Sequence, residues 1–104
     1  MDATKSDELY KKACDLWEFL RDSYSRDEDE WERGVYMILG DLRRALKHDP
    51  AHAAALRMVV EMIGDGLGAY EEAADEAEKL VQLDPANAGS VALRDRMRNR
   101  AAKK

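Results

Sequence analysis

The pentapeptide Asp-Pro-Ala-His-Ala at residues 49–53 returns as Asp-Pro-Ala-Asn-Ala at residues 84–88, 35 residues downstream. Proline cannot continue a preceding helix, but its fixed φ suits the first turn of the next helix, and an aspartate before it can act as the N-cap. Each copy therefore predicts a point at which one helix ends and another begins. Two such boundaries, each followed by a helix pair or the start of one, indicate an internal structural repeat.

Apolar residues recur every three to four positions along almost the whole chain, which is the spacing of helices, and there is no alternating strand pattern. Thr4 or Ser6 is predicted to cap the first helix. The glycine-rich stretch 64–68 is predicted to break the third helix as a flexible joint. The predicted helices cover about residues 7–24, 29–48, 51–63, 69–83 and 86–101. We therefore expect an all-α fold of five helices in a single domain, residues 1–104.

The bulk composition agrees with one helical domain. The 104 residues are 45% hydrophobic and 38% charged, which is too apolar for a disordered chain. No run approaches the roughly 20 apolar residues of a membrane helix, and the N-terminus has no apolar segment of the secretory kind. Cys14 is the only cysteine, so no internal disulfide can form. These features predict a cytoplasmic protein.

Large and small residues follow a helix–turn–helix pattern between residues 54 and 85. The first helix has large apolar residues at intervals of three, one and three, and the second has an aromatic, small residues and an apolar residue before Asp-Pro. These positions are Leu56, Val59, Val60, Ile63, Tyr70, Ala73, Ala77, Leu80, Asp84 and Pro85. The pattern resembles the tetratricopeptide repeat (TPR), a helical hairpin of about 34 residues. It departs from the family at Val60, where glycine is preferred, at Ile63, where tyrosine is preferred, and by one extra residue in the turn.

The upstream segment matches the family less closely, because its interhelical joint is long and Ile38 stands where alanine is expected. The interval of the family's first helix is kept by Tyr10, Ala13, Cys14 and Trp17. The resemblance implies a right-handed array of two TPR-like hairpins, at about 7–48 and 51–83, closed by a capping helix at about 86–101. A plain helical bundle without repeat ancestry is the alternative.

The same resemblance implies a concave groove lined by the first helix of each hairpin, in which a partner's peptide or helix would lie. The groove positions would be Glu8, Lys11, Asp15, Glu18, Ala54, Arg57, Glu61 and Asp65. Five acids against two bases favour a basic partner segment. The alternative is that these residues are the solvated sides of helices, with Lys11–Asp15 and Arg57–Glu61 as intrahelical ion pairs.

Three large apolar residues lie off the predicted core stripes: Phe19 at the edge of the apolar face of its helix, and Tyr36 and Met37 well outside the stripe of the second helix. Aromatic residues and methionine are common at the centres of protein interfaces, so these residues are candidate anchors for a partner. Single exposed apolar residues are also ordinary on monomeric proteins. Tyr36 and Met37 point about 100° apart on one helix and would not form one patch alone.

The C-terminal segment is basic and the rest of the chain is acidic. Residues 94–104 carry six bases and one acid, whereas residues 1–93 carry eleven bases and twenty-one acids. The tail arginines Arg94, Arg96, Arg98 and Arg100 could meet nucleic-acid phosphates. The acidic body and the lack of an aromatic in the tail disfavour that role, and a solubilising end cap is the other interpretation. The apolar content of the tail is too small for membrane insertion.

The residues give little support to catalysis, metal binding or cofactors. His48 and His52 are four apart but straddle a helix boundary, so we expect His48 near a helix C-terminus and His52 in solvent, with no metal bound. The 64–68 stretch lacks the lysine and hydroxyl of a phosphate loop. We expect a non-enzymatic module, without cofactor, that binds another protein. A self-assembling subunit, or a nucleic-acid-binding accessory protein that uses the basic tail, is the alternative.

Overall fold

The computed structural model describes residues 3–22 and 27–103, and within these ranges it contains helices and no strand. The elements are α1 (Ala3–Asp22), α2 (Glu28–His48), α3 (Ala53–Glu61), a π-helical turn (Met62–Gly66), α4 (Tyr70–Leu83) and α5 (Ala88–Ala102). The all-α prediction, with five helices arranged in hairpins, is confirmed. Tyr24, which the apolar spacing placed in the first helix, lies outside the described residues.

The chain divides into two compact units, Met1–Ala55 and Leu56–Lys104, and the division falls within α3. In the first unit α1 and α2 pack as an antiparallel hairpin. Ser6, near the start of α1, contacts Ala45 near the end of α2, and Leu20, near the end of α1, lies beside Gly34 in the first half of α2. A Cβ on Gly34 would lie 2.8 Å from Leu20 Cδ1, so this glycine permits close helix packing. The buried apolar residues of this hairpin include Ala13, Val35, Ile38, Leu39, Leu42 and Ala45.

The start of α1 differs from the sequence prediction. Neither Thr4 nor Ser6 caps the helix, since both lie inside α1. Ser6 is buried, and its hydroxyl donates a hydrogen bond of 2.8 Å to the carbonyl oxygen of Ala45. This bond satisfies the buried Ser6 hydroxyl and helps to set the axial register of α1 against α2.

Both copies of the repeated pentapeptide adopt the same local structure. Asp49 and Asp84 end α2 and α4 with similar extended backbones, at φ −146°, ψ 92° and φ −150°, ψ 85°. In each copy the backbone N–H of the fourth residue donates to the aspartate carbonyl, at 3.1 Å for His52 and 3.0 Å for Asn87. The sequence repeat is therefore a repeated turn between two helices.

The capping residue in this turn is the fourth residue and not the aspartate. His52 Nδ1 accepts from the N–H of Ala55 at 3.1 Å, and Asn87 Oδ1 accepts from the N–H of Ser90 at 3.1 Å. The expectation that aspartate is the N-cap is wrong, because the Asp-Pro-Ala segment forms the turn first. Consequently α3 and α5 each begin two residues later than predicted.

In the second unit, α4 packs against α5 and against the π-helical turn. The glycine-rich stretch does end the helical run, as predicted, but helical structure continues through Gly66 and the chain turns only at Gly68, with φ +73°. Gly64 is buried, and a Cβ there would lie 2.6 Å from Met97 Sδ and 3.2 Å from Ala73 Cβ. This glycine permits close packing against α4 and α5.

Candidate protein-interaction site

The outward side of α1 carries most of the first predicted groove residues. We define the acidic face as Asp7, Glu8, Lys11, Asp15 and Glu18, which are all exposed; after the adjacent Asp7 and Glu8 they follow at intervals of three or four residues. It lies opposite the buried Ala13, so it is the solvent side of an amphipathic helix. The acidic face has four carboxylates and one ammonium group.

Ion pairs leave much of this negative charge uncompensated. Lys11 and Asp15 were a possible intrahelical pair, but within the part of the chain that the structure describes they form none. Glu8, Asp15 and Glu18 likewise have no cation within 4.0 Å among the described residues. Lys12, one position from the face, instead reaches Asp41 Oδ1 at 3.7 Å. The acidic face can therefore offer carboxylates to a partner.

A shallow depression lies at the start of the acidic face, lined by Thr4, Asp7, Glu8, Tyr10, Lys11 and His52. The prediction that His52 is in solvent is wrong, because its side chain is only 11% exposed. Its Nδ1 accepts the α3 capping bond, so Nε2 carries the proton and donates to Asp7 Oδ1 at 2.8 Å. Its ring centroid lies 5.1 Å from that of Tyr10. His52 thus joins α1 to the start of α3.

His52→Ala is expected to lower the free energy of unfolding by about 1–2 kcal/mol, since it removes an N-cap together with the contacts to Asp7 and Tyr10. His52→Asn should cost less, because asparagine keeps the capping acceptor, as Asn87 does in the second copy. Denaturant unfolding measures both variants. Equal losses for alanine and asparagine would contradict the capping role.

The α3 positions of the predicted groove are placed differently from those of α1. Ala54 is exposed in the first unit, whereas Arg57, Glu61 and Asp65 belong to the second. Arg57 Nε lies 3.4 Å from Glu61 Oε1, as the intrahelical alternative predicted, and Arg96 Nη1 lies 3.2 Å from Asp65 Oδ2. Both carboxylates are therefore already paired with cations of their own unit.

The candidate anchors are all exposed. Phe19 is 68%, Tyr36 56% and Met37 62% accessible. Phe19 follows Glu18 in α1 and is one turn beyond Asp15, so it borders the acidic face. Tyr36 and Met37 lie on α2. The structure therefore offers an apolar residue beside charged groups on each of two helices.

The arginines of the basic tail contact their own unit. Arg94 Nη1 and Arg98 Nη2 lie 3.3 and 3.0 Å from the same Glu78 oxygen. The Arg100 guanidinium lies 5.6 Å from the ring centroid of Tyr70, a cation–π contact. With the Arg96–Asp65 pair, all four tail arginines face a carboxylate or an aromatic ring of the second unit. Two carboxylates, Glu78 of α4 and Asp65 of the π-helical turn, thereby compensate part of the tail's positive charge.

Sequence reasoning missed one buried charge. Asp41 is buried in α2, and its Oδ1 lies 2.7 Å from Arg44 Nη2 and 3.7 Å from Lys12 Nζ. The signal was the position of Asp41 between Leu39 and Leu42 at the edge of the apolar stripe, with an arginine three residues later. Two exposed cations thus neutralise a carboxylate inside the hairpin.

Neither metal-binding clusters nor membrane helices are found in the described ranges. Among residues 3–22 and 27–103, no three His, Cys, Asp or Glu side chains are grouped to hold a metal ion. None of the helices described is both long and apolar enough to cross a membrane. No protein-family model matches the chain, and neither a curated protein nor a solved structure matches it.

Proposed function

We propose that the protein is an interaction module that binds a basic segment of a partner protein along the acidic face of α1. The observation that carries this proposal is the set of exposed carboxylates, Glu8, Asp15 and Glu18, with no described cation beside them. The predicted groove carboxylates of the second unit, Glu61 and Asp65, are by contrast paired with arginines. A partner's lysines or arginines would complete the pairs that α1 leaves open.

Phe19 would supply an apolar contact with the bound segment, which adds binding energy that exposed ion pairs do not provide. Exposed ion pairs contribute little net binding energy and mainly guide and orient the encounter. An aromatic side chain that becomes buried at the centre of an interface contributes much more. The segment bound should therefore carry basic residues along one side and one apolar residue that covers Phe19.

The resemblance to tetratricopeptide repeats also favours α1 as the helix that binds the partner. In that family the first helix of each hairpin lines the peptide-binding groove, and α1 would take this place in the upstream hairpin if the resemblance holds. The nucleic-acid alternative is weaker, because Arg94, Arg96, Arg98 and Arg100 are engaged within their own unit. Self-assembly through the tail and an acidic neighbour is weakened for the same reason.

The proposal is tested by selecting peptides from a random display library against the wild-type protein. We expect enrichment of peptides with several lysines or arginines and one aromatic or large aliphatic residue. Asp15→Lys/Glu18→Lys should weaken their binding by about tenfold or more, because each attractive pair becomes repulsive. Fluorescence anisotropy at roughly 0.05 and 0.15 M salt measures the affinities, and the loss should be larger at low salt.

The matched control is Glu72→Lys/Asp75→Lys, which makes the same charge change at exposed positions of α4. It should change the affinity by less than about threefold, since it alters net charge without touching α1. Neutral or acidic selected peptides would contradict the proposal. So would equal losses in the α1 and α4 variants.

A further inference from the structure

A second surface is formed by the side of α2 that faces away from the core. We define the outer face as Asp29, Arg33, Tyr36, Gly40, Arg43 and Lys47, which follow one another at alternating intervals of four and three residues. This is the spacing of the contact line between two packed helices. The buried Ile38 and Leu42 lie on the opposite side of α2.

Gly40 stands at the centre of this outer face without a structural need for glycine within its own chain. A Cβ on Gly40 would meet no atom of the described residues within 4 Å, whereas one on Gly34 would lie 2.8 Å from Leu20 and one on Gly64 2.6 Å from Met97. Glycine inside a helix costs about 1 kcal/mol relative to alanine. A glycine that no described contact requires, one helical turn beyond exposed Tyr36 and Met37, fits the close approach of another helix.

The distribution of charge along α2 indicates which helix would pack against the outer face. Residues 27–33 contain five acids and one base, and residues 43–48 contain three bases and no acid. A second copy of α2 in the antiparallel direction would put basic residues beside acidic ones at both ends. A parallel copy would put like charges together. The ends of α2 as a whole are thus complementary to each other in the antiparallel orientation, whereas the outer face itself carries one acid and three bases.

We propose that the protein forms a homodimer in which the outer face of α2 packs antiparallel against the outer face of α2 in a second copy. Tyr36 of each copy covers Gly40 of the other at the centre. This register brings Lys47 toward Asp29 of the second copy, where Asp29, Glu32, Arg33 and Tyr36 line a shallow depression.

The same register limits how tight the dimer can be. Arg33 faces Arg43 of the second copy, an unfavourable pair. A single pair of 21-residue helices also buries an area near the lower end for specific interfaces. We therefore expect a dissociation constant of about 10–100 µM. The dimer does not depend on the acidic face of α1.

Sedimentation equilibrium of the full chain from about 5 to 500 µM tests the proposal. The apparent mass should rise from 11.8 kDa toward twice that value. Tyr36→Ser should weaken association by about tenfold or more, because it removes the central aromatic contact. Phe19→Ser, an equally drastic change at an exposed residue of α1, should leave it unchanged. A monomer at 500 µM, or equal effects of the two variants, would overturn the dimer.

A charge exchange tests the orientation. Asp29→Lys alone and Lys47→Glu alone should each weaken association by about fivefold or more, since each creates like-charged neighbours. The double variant should regain an affinity within about threefold of wild type, although it reverses charges that favour the helix termini. Failure of the double variant to recover would rule out the antiparallel register. Tyr36→Ser should leave peptide binding to α1 intact, which separates this proposal from the function proposed above.

Discussion

Gly64→Val is expected to lower the free energy of unfolding by about 3 kcal/mol, because valine must be accommodated where no space exists. Even its Cβ would lie 2.6 Å from Met97 Sδ and 3.2 Å from Ala73 Cβ, and both neighbours are buried. The sulfur can move only within a packed interior, and the alanine is part of α4. Denaturant unfolding with circular dichroism measures the loss. An unchanged midpoint would mean that the turn does not pack this closely.

Alanine substitutions at Gly64 and Gly40 separate the effect of steric crowding from the effect of glycine's low helix propensity. Gly64→Ala should be destabilising by about 1–2 kcal/mol, whereas Gly40→Ala should stabilise the monomer by about 0.5–1 kcal/mol, since its Cβ meets nothing. Both should be measured well below the concentrations at which the protein associates. If both variants changed the free energy of unfolding in the same direction, the proposed difference in packing around the two glycines would be contradicted.

Met97 identifies the source of the crowding. Met97→Ala should cost about 2–4 kcal/mol in the wild-type protein, because it leaves a cavity under α5. In the Gly64→Ala background the cost should be smaller by about 1 kcal/mol, since the added methyl group occupies part of that space. Strict additivity of the two substitutions would show that they do not touch.

Lys12→Met/Arg44→Met is expected to lower the free energy of unfolding by about 3 kcal/mol. The two substitutions leave the buried Asp41 carboxylate without either cation that now lies beside it, at 3.7 and 2.7 Å. A buried charge that loses its partners destabilises far more than an exposed ion pair stabilises. Chemical denaturation at neutral pH gives the difference.

Adding Asp41→Leu to this double variant should recover most of the loss, because a well-packed apolar group can replace a buried ionic cluster. Lys11→Met/Arg43→Met is the matched control, since it removes the same charges from exposed positions, and it should change stability by less than about 0.5 kcal/mol. A triple variant as unstable as the double one would show that packing, and not the charge, causes the effect.

The local parts of the fold could be predicted from the sequence. Helical phase alone places Ile38 and Leu42 inside and Phe19 and Tyr36 outside, because these positions depend only on 3.6 residues per turn. The acidic face of α1 follows in the same way. Ser6 was misjudged because serine is favoured at N-caps, and its burial depends on a hydrogen bond to the carbonyl of Ala45, 39 residues away.

The remaining features depend on contacts between residues far apart in the chain. The Arg96–Asp65 pair joins residues 31 positions apart, and the Arg98–Glu78 pair joins residues 20 apart. No local pattern shows that these arginines are occupied, so the tail looked like a free basic surface. His52 was misplaced for a related reason. Its burial depends on Tyr10 and on Asp7, 45 residues earlier.

The π-helical turn shows how a helix can hold one residue more than a regular α-helical turn without forming a loop. In the turn the N–H of Leu67 bonds to the carbonyl of Met62, five residues back, and that of Ala69 to the carbonyl of Ile63, six back. The two Asp-Pro turns on either side of this hairpin are 35 residues apart. A residue accommodated in this way lengthens the chain between the two Asp-Pro turns, while each turn keeps the same local geometry.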